Sequence, residues 1–226
     1  MKWLLAMLLA AAPIAAQDRA DAPYSWTHFK PGTSTRSRIT IVGGAASERM
    51  ITLKEVTDKE IVFEMVNFAI PAKEGKKSIL REPRFRLDGG KVAEETLKFK
   101  GVDHKCRVLK ANYESSAGVK AEERYWIAEG VAFPLKLVDV SSGAESWMNG
   151  EMNSILVSLD EELTIAGRKL KCAKYEATLK GPRTGSLTTW MCSEIPGGLV
   201  RSETEIESAG TKTKIIGETI EFEVKK

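Results

Sequence analysis

The residues of this 226-residue chain with the means to do chemistry are three cysteines, two histidines and a scatter of carboxylates. His104 and Cys106 stand two apart in "DHKCRVL", so an extended strand carries both on one face, as two ligands of a soft metal would be. Third and fourth ligands are missing: His28 is the only other histidine, and Cys172 and Cys192 are better used on each other. No metal centre and no cofactor are expected. The acidic pairs Glu94–Glu95 and Asp160–Glu161 sit at turn edges, where charge is ordinarily just solvated. A carboxylate-pair hydrolase stays open on those residues alone. Gly-x-Ser-x-Gly, His-Glu-x-x-His and a phosphate-cradling loop ahead of a helix are absent from the sequence. No catalytic residue is therefore assigned, and the expectation is a protein that is not an enzyme.

The elements that must carry these residues read as β throughout. In "GETIEFEVKK" Ile220, Phe222 and Val224 alternate with Thr219, Glu221 and Glu223, and in "LVRSETEIE" Val200, Ser202, Thr204 and Ile206 alternate with Arg201, Glu203, Glu205 and Glu207. That period of two gives each strand one buried and one wet face. Further strands are expected in "KEIVFEMVNF" (59–68), "RYWIAEG" (124–130) and "MNSILVSL" (152–159). The basic run from Lys73 to Arg86 is interrupted by Glu74, Glu82 and Pro83 and is read as a solvated crossover loop. No stretch of a dozen residues shows a helical stripe. The fold expected is all-β: a curved antiparallel sheet or half-barrel with little helix.

An internal repeat sharpens this. "ETLKFKGVDHKCRVL" (95–109) aligns with "EELTIAGRKLKCAKY" (161–175), matching Leu97 to Leu163, Gly101 to Gly167 and Cys106 to Cys172. Trp126 then meets Trp190, and Pro134, Leu137 and Val138 meet Pro196, Leu199 and Val200. Segments 95–140 and 161–207 are thus expected to be like units, and Trp26, Pro31 and Gly32 suggest a fainter third. Within the second unit a hairpin centred on Pro182 places Cys172 directly opposite Cys192, close enough for a disulfide after local adjustment. The same register in the first unit puts Ala128 opposite Cys106, which makes Cys106 the odd thiol, read first as a small buried hydrophobe. Pro196 ends a strand in "TTWMCSEIPGGLV", and Gly197 and Gly198 bend the chain into the next. The two tryptophans read first as core residues and second as walls of a ligand cavity.

At the N-terminus, "MKWLLAMLLAAAPIAA" (1–16) has a positive start, an apolar run and small residues at its end, the pattern of a secretory signal peptide. The remainder, 17–225, is expected to be one β-rich domain, periplasmic or secreted, without a transmembrane segment. Lys plus Arg number 34 against 31 Asp plus Glu, with the signs interspersed, which argues against nucleic acid as a partner.

"YWIAEGVAFPLKLVDV" resembles the Trp-Ile-x-x-x-x-x-x-Pro-x-Lys element of the outer-membrane lipoprotein carrier (LolA/LppX-like) superfamily, and "TTWMCSEIPGGLVRSETEI" is similar to the terminal element of exported bacterial relatives of that kind. The resemblance covers about residues 90–224. It implies a half-barrel whose concave side holds a lipid or a lipoprotein acyl chain. If so, Trp126, Phe133, Trp190 and Leu199 lie at or near that surface. The alternative is a structural or protein-interaction module of the cell envelope, favoured where the interior is filled by the protein's own side chains.

Overall fold

The computed structural model describes residues 26–70, 75–83, 93–114, 119–143 and 149–225; the expected leader, 1–16, lies outside them. The described chain is a 3-10 turn, Trp26–His28, and thirteen strands: β1 (Ser34–Ile41), β2 (Ala46–Val56), β3 (Glu60–Ala69), β4 (Lys76–Pro83), β5 (Ala93–Phe99), β6 (Val102–Glu114), β7 (Lys120–Ala128), β8 (Lys136–Ser142), β9 (Gly150–Ile165), β10 (Arg168–Lys180), β11 (Thr184–Met191), β12 (Leu199–Ser208) and β13 (Thr211–Glu223). They form one antiparallel sheet in the order β4-β3-β2-β1-β13-β12-β11-β10-β9-β8-β7-β6-β5. β5 to β13 run as a meander. β1 then adds beside β13, pairing Ser34 with Glu223 and Ile41 with Ile215, so the two ends of the described chain meet in the middle of the sheet.

This sheet cannot be flat. Thirteen strands at a spacing of about 4.8 Å span nearly 60 Å from first to last. The outermost strands, β4 and β5, are joined by residues 84–92, and a segment of that length reaches at most about 36 Å. The sheet must therefore curl, as the all-β half-barrel expectation required, and it does so without closing, because β4 and β5 do not pair. Curling also brings β9 towards β13, four strands away: Leu163 and Ile165 share a cluster with Phe222, and the Arg168 guanidinium stacks 4.9 Å from the centre of the Phe222 ring. Bulges at Arg36/Ser37, Cys172/Lys174 and Trp190/Met191 supply the local bending. The bulge in the β1–β13 ladder falls at Ile220, so the buried set on β13 is Ile215, Gly217 and Thr219 before it. A single alternation across 216–224 is therefore not what the strand does.

The repeat is visible in the ladders. Glu95 faces Cys106 and Cys106 faces Ala128; Glu161 faces Cys172, and Ala173 pairs with Met191, which sets Cys172 opposite Cys192. β5–β8 and β9–β12 are thus two four-strand meanders of matching register. Both open with the same tight turn, Lys100-Gly101 (φ 49° and 82°) and Ala166-Gly167 (φ 48° and 77°), which recurs between β12 and β13 at Ala209-Gly210 (φ 49° and 77°). Two successive left-handed residues make the mirror-image hairpin turn whose twist suits the flanking strands. The first position is strained for alanine and comfortable for asparagine. Ala166→Asn is expected to raise stability by roughly 0.5–1 kcal/mol, read as a higher urea midpoint at unchanged slope.

One expectation is corrected here. The run 73–86 is not a solvated loop throughout: Lys76–Pro83 is strand β4, pairing with β3 from Asn67↔Lys76 to Glu60↔Pro83. Leu80 packs against the cluster of Ile51, Leu53, Ile61 and Phe63, while Ile79 points out. The proline is tolerated because it falls at the end of an edge strand. Trp26 caps the same cluster, edge-on to Phe63 at 5.1 Å between ring centres.

Candidate functional site on the inner face of the sheet

One face of the sheet is buried along continuous rows of cross-strand neighbours. Tyr125, Leu137, Ser154, Ala177, Leu187, Thr204 and Ile215 stand directly opposite one another from β7 to β13, and every one is buried. The adjoining row is Leu156, Tyr175, Thr189, Ser202 and Gly217. A Cβ at Gly217 would lie 2.7 Å from the Ser202 hydroxyl, which would have to rotate away. In the segment between β7 and β8, Phe133, Pro134 and Leu135 are buried; Leu135 extends β8, its amide donating to Trp126 O and its carbonyl accepting from Leu156 N, and the Tyr175 hydroxyl donates to the Pro134 carbonyl at 2.9 Å. Burial pushes the Tyr175 phenol well above its usual range.

Between the rows lies a cavity of about 10 Å³, lined by Leu137, Met152, Tyr175, Leu187 and Met191 with the hydroxyls of Ser154 and Thr189. That is room for one water molecule at most. Next to it on β12, the Ser202 and Thr204 hydroxyls are buried and make no hydrogen bond. An acyl chain does not fit a cavity of that size.

The same face holds a carboxyl pair that alternation along β7 and β8 could have disclosed, since Glu123 precedes Tyr125 by two residues and Asp139 follows Leu137 by two. The ladder sets Glu123 opposite Asp139, both are buried, and the Tyr125 hydroxyl donates to Glu123. Burial raises the Asp139 carboxyl to about 6, with a hydrogen bond to Glu123 pulling the other way. Two carboxyls facing each other away from water share one proton more readily than they both ionise. Chemically the pair can hold and release that proton. Among the described residues no group of three His, Cys, Asp or Glu side chains could bind a metal ion.

The four anticipated ligand residues sit as follows. Trp126, Phe133 and Leu199 belong to the largest core cluster, with Trp126 and Phe133 buried and Leu199 half-buried. Trp126 donates its indole N–H to Glu95 at 2.7 Å and lies under the Lys136 ammonium, 4.4 Å from the ring centre. Trp190 joins a separate cluster around Leu170, Cys172 and Ile195; it is half-buried, flanked by Lys174 and Arg201, and its indole N–H has no acceptor. None of the four lines the cavity.

The expected Cys172–Cys192 disulfide is not formed. Cys106, Cys172 and Cys192 are all free thiols, each buried. The register behind the expectation is correct, but Cys192 lies just past the end of β11, where the turn to β12 places its side chain: its amide donates to Gly198 O at 2.8 Å. The two thiols meet as a hydrogen-bonded pair, and Cys172 also reaches the Leu170 carbonyl at 3.7 Å.

No family model, curated protein or solved structure matches this chain. No helix among the described residues is long and apolar enough to cross a membrane.

Proposed function

We propose that the protein is an exported, non-enzymatic module of the cell envelope that works through its surface and edges, as a structural or protein-interaction element. The observation that carries this is the packed inner face: its apolar residues are buried against one another, and the cavity between the rows holds only about 10 Å³. A strongly curved sheet needs its inner face filled, and here Phe133 and Pro134, just ahead of β8, are buried and the Pro134 carbonyl takes the Tyr175 hydroxyl. What the fold leaves unpaired is the backbone of its two outermost strands, β4 and β5, each hydrogen-bonded on one side among the described residues. Such edges accept a strand from a partner chain. Localisation to the periplasm or outside the cell follows from the leader-like residues 1–16.

A second reading, a carrier of a lipid or lipoprotein acyl chain, is favoured by the unpaired Ser202 and Thr204 hydroxyls on the inner face and by the resemblance of 125–140 and 188–206 to the lipoprotein carriers. It requires the 129–135 segment to swing away from Tyr175. Mass spectrometry of lipid extracted from protein purified out of its own membrane-containing cells separates the two. The interaction reading expects no lipid near one per chain; a stoichiometric lipid establishes the carrier instead.

A further inference from the structure

We propose that Cys172 and Cys192 are a thiol–disulfide exchange site, with Cys192 the attacking thiolate and Cys172 the thiol that resolves the mixed disulfide, acting on a small external disulfide. The geometry that singles out Cys192 is the turn from β11 to β12. Three backbone bonds close it: Cys192 N to Gly198 O at 2.8 Å, Ile195 N to Cys192 O at 3.2 Å and Gly198 N to Ile195 O at 2.7 Å. Gly197 and Gly198 take φ of 76° and 75°, a left-handed pair in which residues with side chains are strained. Wound this way, the turn sets the Glu194 amide within hydrogen-bonding reach of the Cys192 sulfur, and the Cys172 sulfur faces it from across the hairpin. A donor and a neighbouring thiol converging on one sulfur stabilise its thiolate.

The surrounding charges pull in both directions. Glu161 and Glu194 disfavour a negative sulfur, and Arg168 engages Glu194 at 3.0 Å. The donors prevail at Cys192, whose thiol falls to about 7, chiefly through the Cys172 contact, while Cys172 is driven up. The first repeat supplies a comparison within the same molecule. Cys106 occupies the place of Cys172, but Ala128 stands opposite it; its sulfur has the His104 carbonyl at 3.5 Å and a backbone hydrogen bond with Leu97, and burial still pushes its thiol up. Paired chemistry belongs to the second unit alone. Cys192 is itself 2% exposed, and its neighbours in the turn, Ser193 and Glu194, are exposed.

The exchange balances without any further reagent. The Cys192 thiolate attacks one sulfur of the external disulfide, forming a mixed disulfide and releasing one thiolate, which takes up a proton. Cys172 then loses its proton and attacks the Cys192 sulfur, closing the Cys172–Cys192 bond and releasing the second thiol. The protein pair is oxidised by two electrons and the small disulfide is reduced by two.

The test uses the full chain, reduced and freed of reductant, with oxidised glutathione as the probe. Intact mass is expected to fall by two hydrogens, non-reducing peptide mapping to join Cys172 to Cys192, and Cys106→Ser to behave like the parent. Cys172→Ser should trap glutathione on Cys192, and Cys192→Ser should react at Cys172 at least roughly tenfold more slowly. In the parent, pulse alkylation at pH 7 should label Cys192 roughly tenfold faster than the equally buried Cys106, and this measurement decides alone if either variant fails to fold. Cys106 in the bridge, equal rates at Cys106 and Cys192, or no reaction of the native parent overturns the proposal.

Discussion

Gly185→Ala is expected to cost about 3 kcal/mol or more, enough to unfold a marginal domain. Gly185 lies on β11 opposite Ile206, and a Cβ built there falls 1.9 Å from the Glu205 carbonyl oxygen, with Ile206 Cα only 3.1 Å away. These are backbone atoms of the neighbouring strand, so no side-chain rotation relieves the overlap. The β11–β12 ladder must part locally, in the middle of the sheet and beside the Leu187–Thr204 pair of the inner face. Urea unfolding followed by tryptophan emission checks it: a large fall in midpoint is the predicted result. Unchanged stability would mean the two strands do not approach as closely as described.

Asp139→Asn is expected to stabilise the protein at neutral pH and to flatten part of its pH profile. The Asp139 carboxyl rises from 3.8 to about 6 on folding, chiefly by burial, so between those values the folded state holds a proton that the unfolded chain has released. The stabilising contribution is complete below about 3.8 and is lost as pH rises through about 6, by order of 2–3 kcal/mol for this shift. Asparagine keeps a donor towards Glu123 and has no proton to lose. Thermal unfolding at pH 4.5 and pH 8 should therefore show a smaller difference for Asp139→Asn than for the parent, with the gain concentrated at pH 8. A parallel pair of profiles would contradict a shared proton at Glu123 and Asp139.

How much of this was legible in the sequence depended on range. Hairpin registers were, because each is set by a local turn: the centre at Pro182 places Cys172 opposite Cys192, and the same register in the first unit places Cys106 opposite Ala128, without knowledge of the rest. The pairing of β1 with β13 has no local signal, since it joins segments nearly the whole chain apart. β4 was hidden by Lys76, Lys77 and Pro83, residues that suit an exposed edge as well as a loop. The bulge at Ile220 reversed a face that simple alternation had assigned. The site was the least legible part. Trp126, Phe133, Trp190 and Leu199, expected at or near a concave apolar surface, belong to core clusters, and large apolar residues fill cores before they line cavities. Glu123 and Asp139 give no signal as a pair of sequence neighbours, because they meet only through the β7–β8 register set by the irregular 129–135 segment.

The central claim is that the interior of the half-barrel is occupied by the protein itself, leaving its surface to do the work. Tryptophan emission of delipidated protein, titrated with a long-chain fatty acid and with phospholipid below the concentration at which vesicles form, tests it most directly. Trp126 belongs to the same core cluster as Leu137, Tyr175 and Met191, which line the cavity, so a chain entering the inner face would displace members of its cluster and change the signal. A flat titration is predicted. A saturable shift at one lipid per chain, abolished when Tyr175→Trp crowds the cavity, would contradict the account and make the protein a carrier.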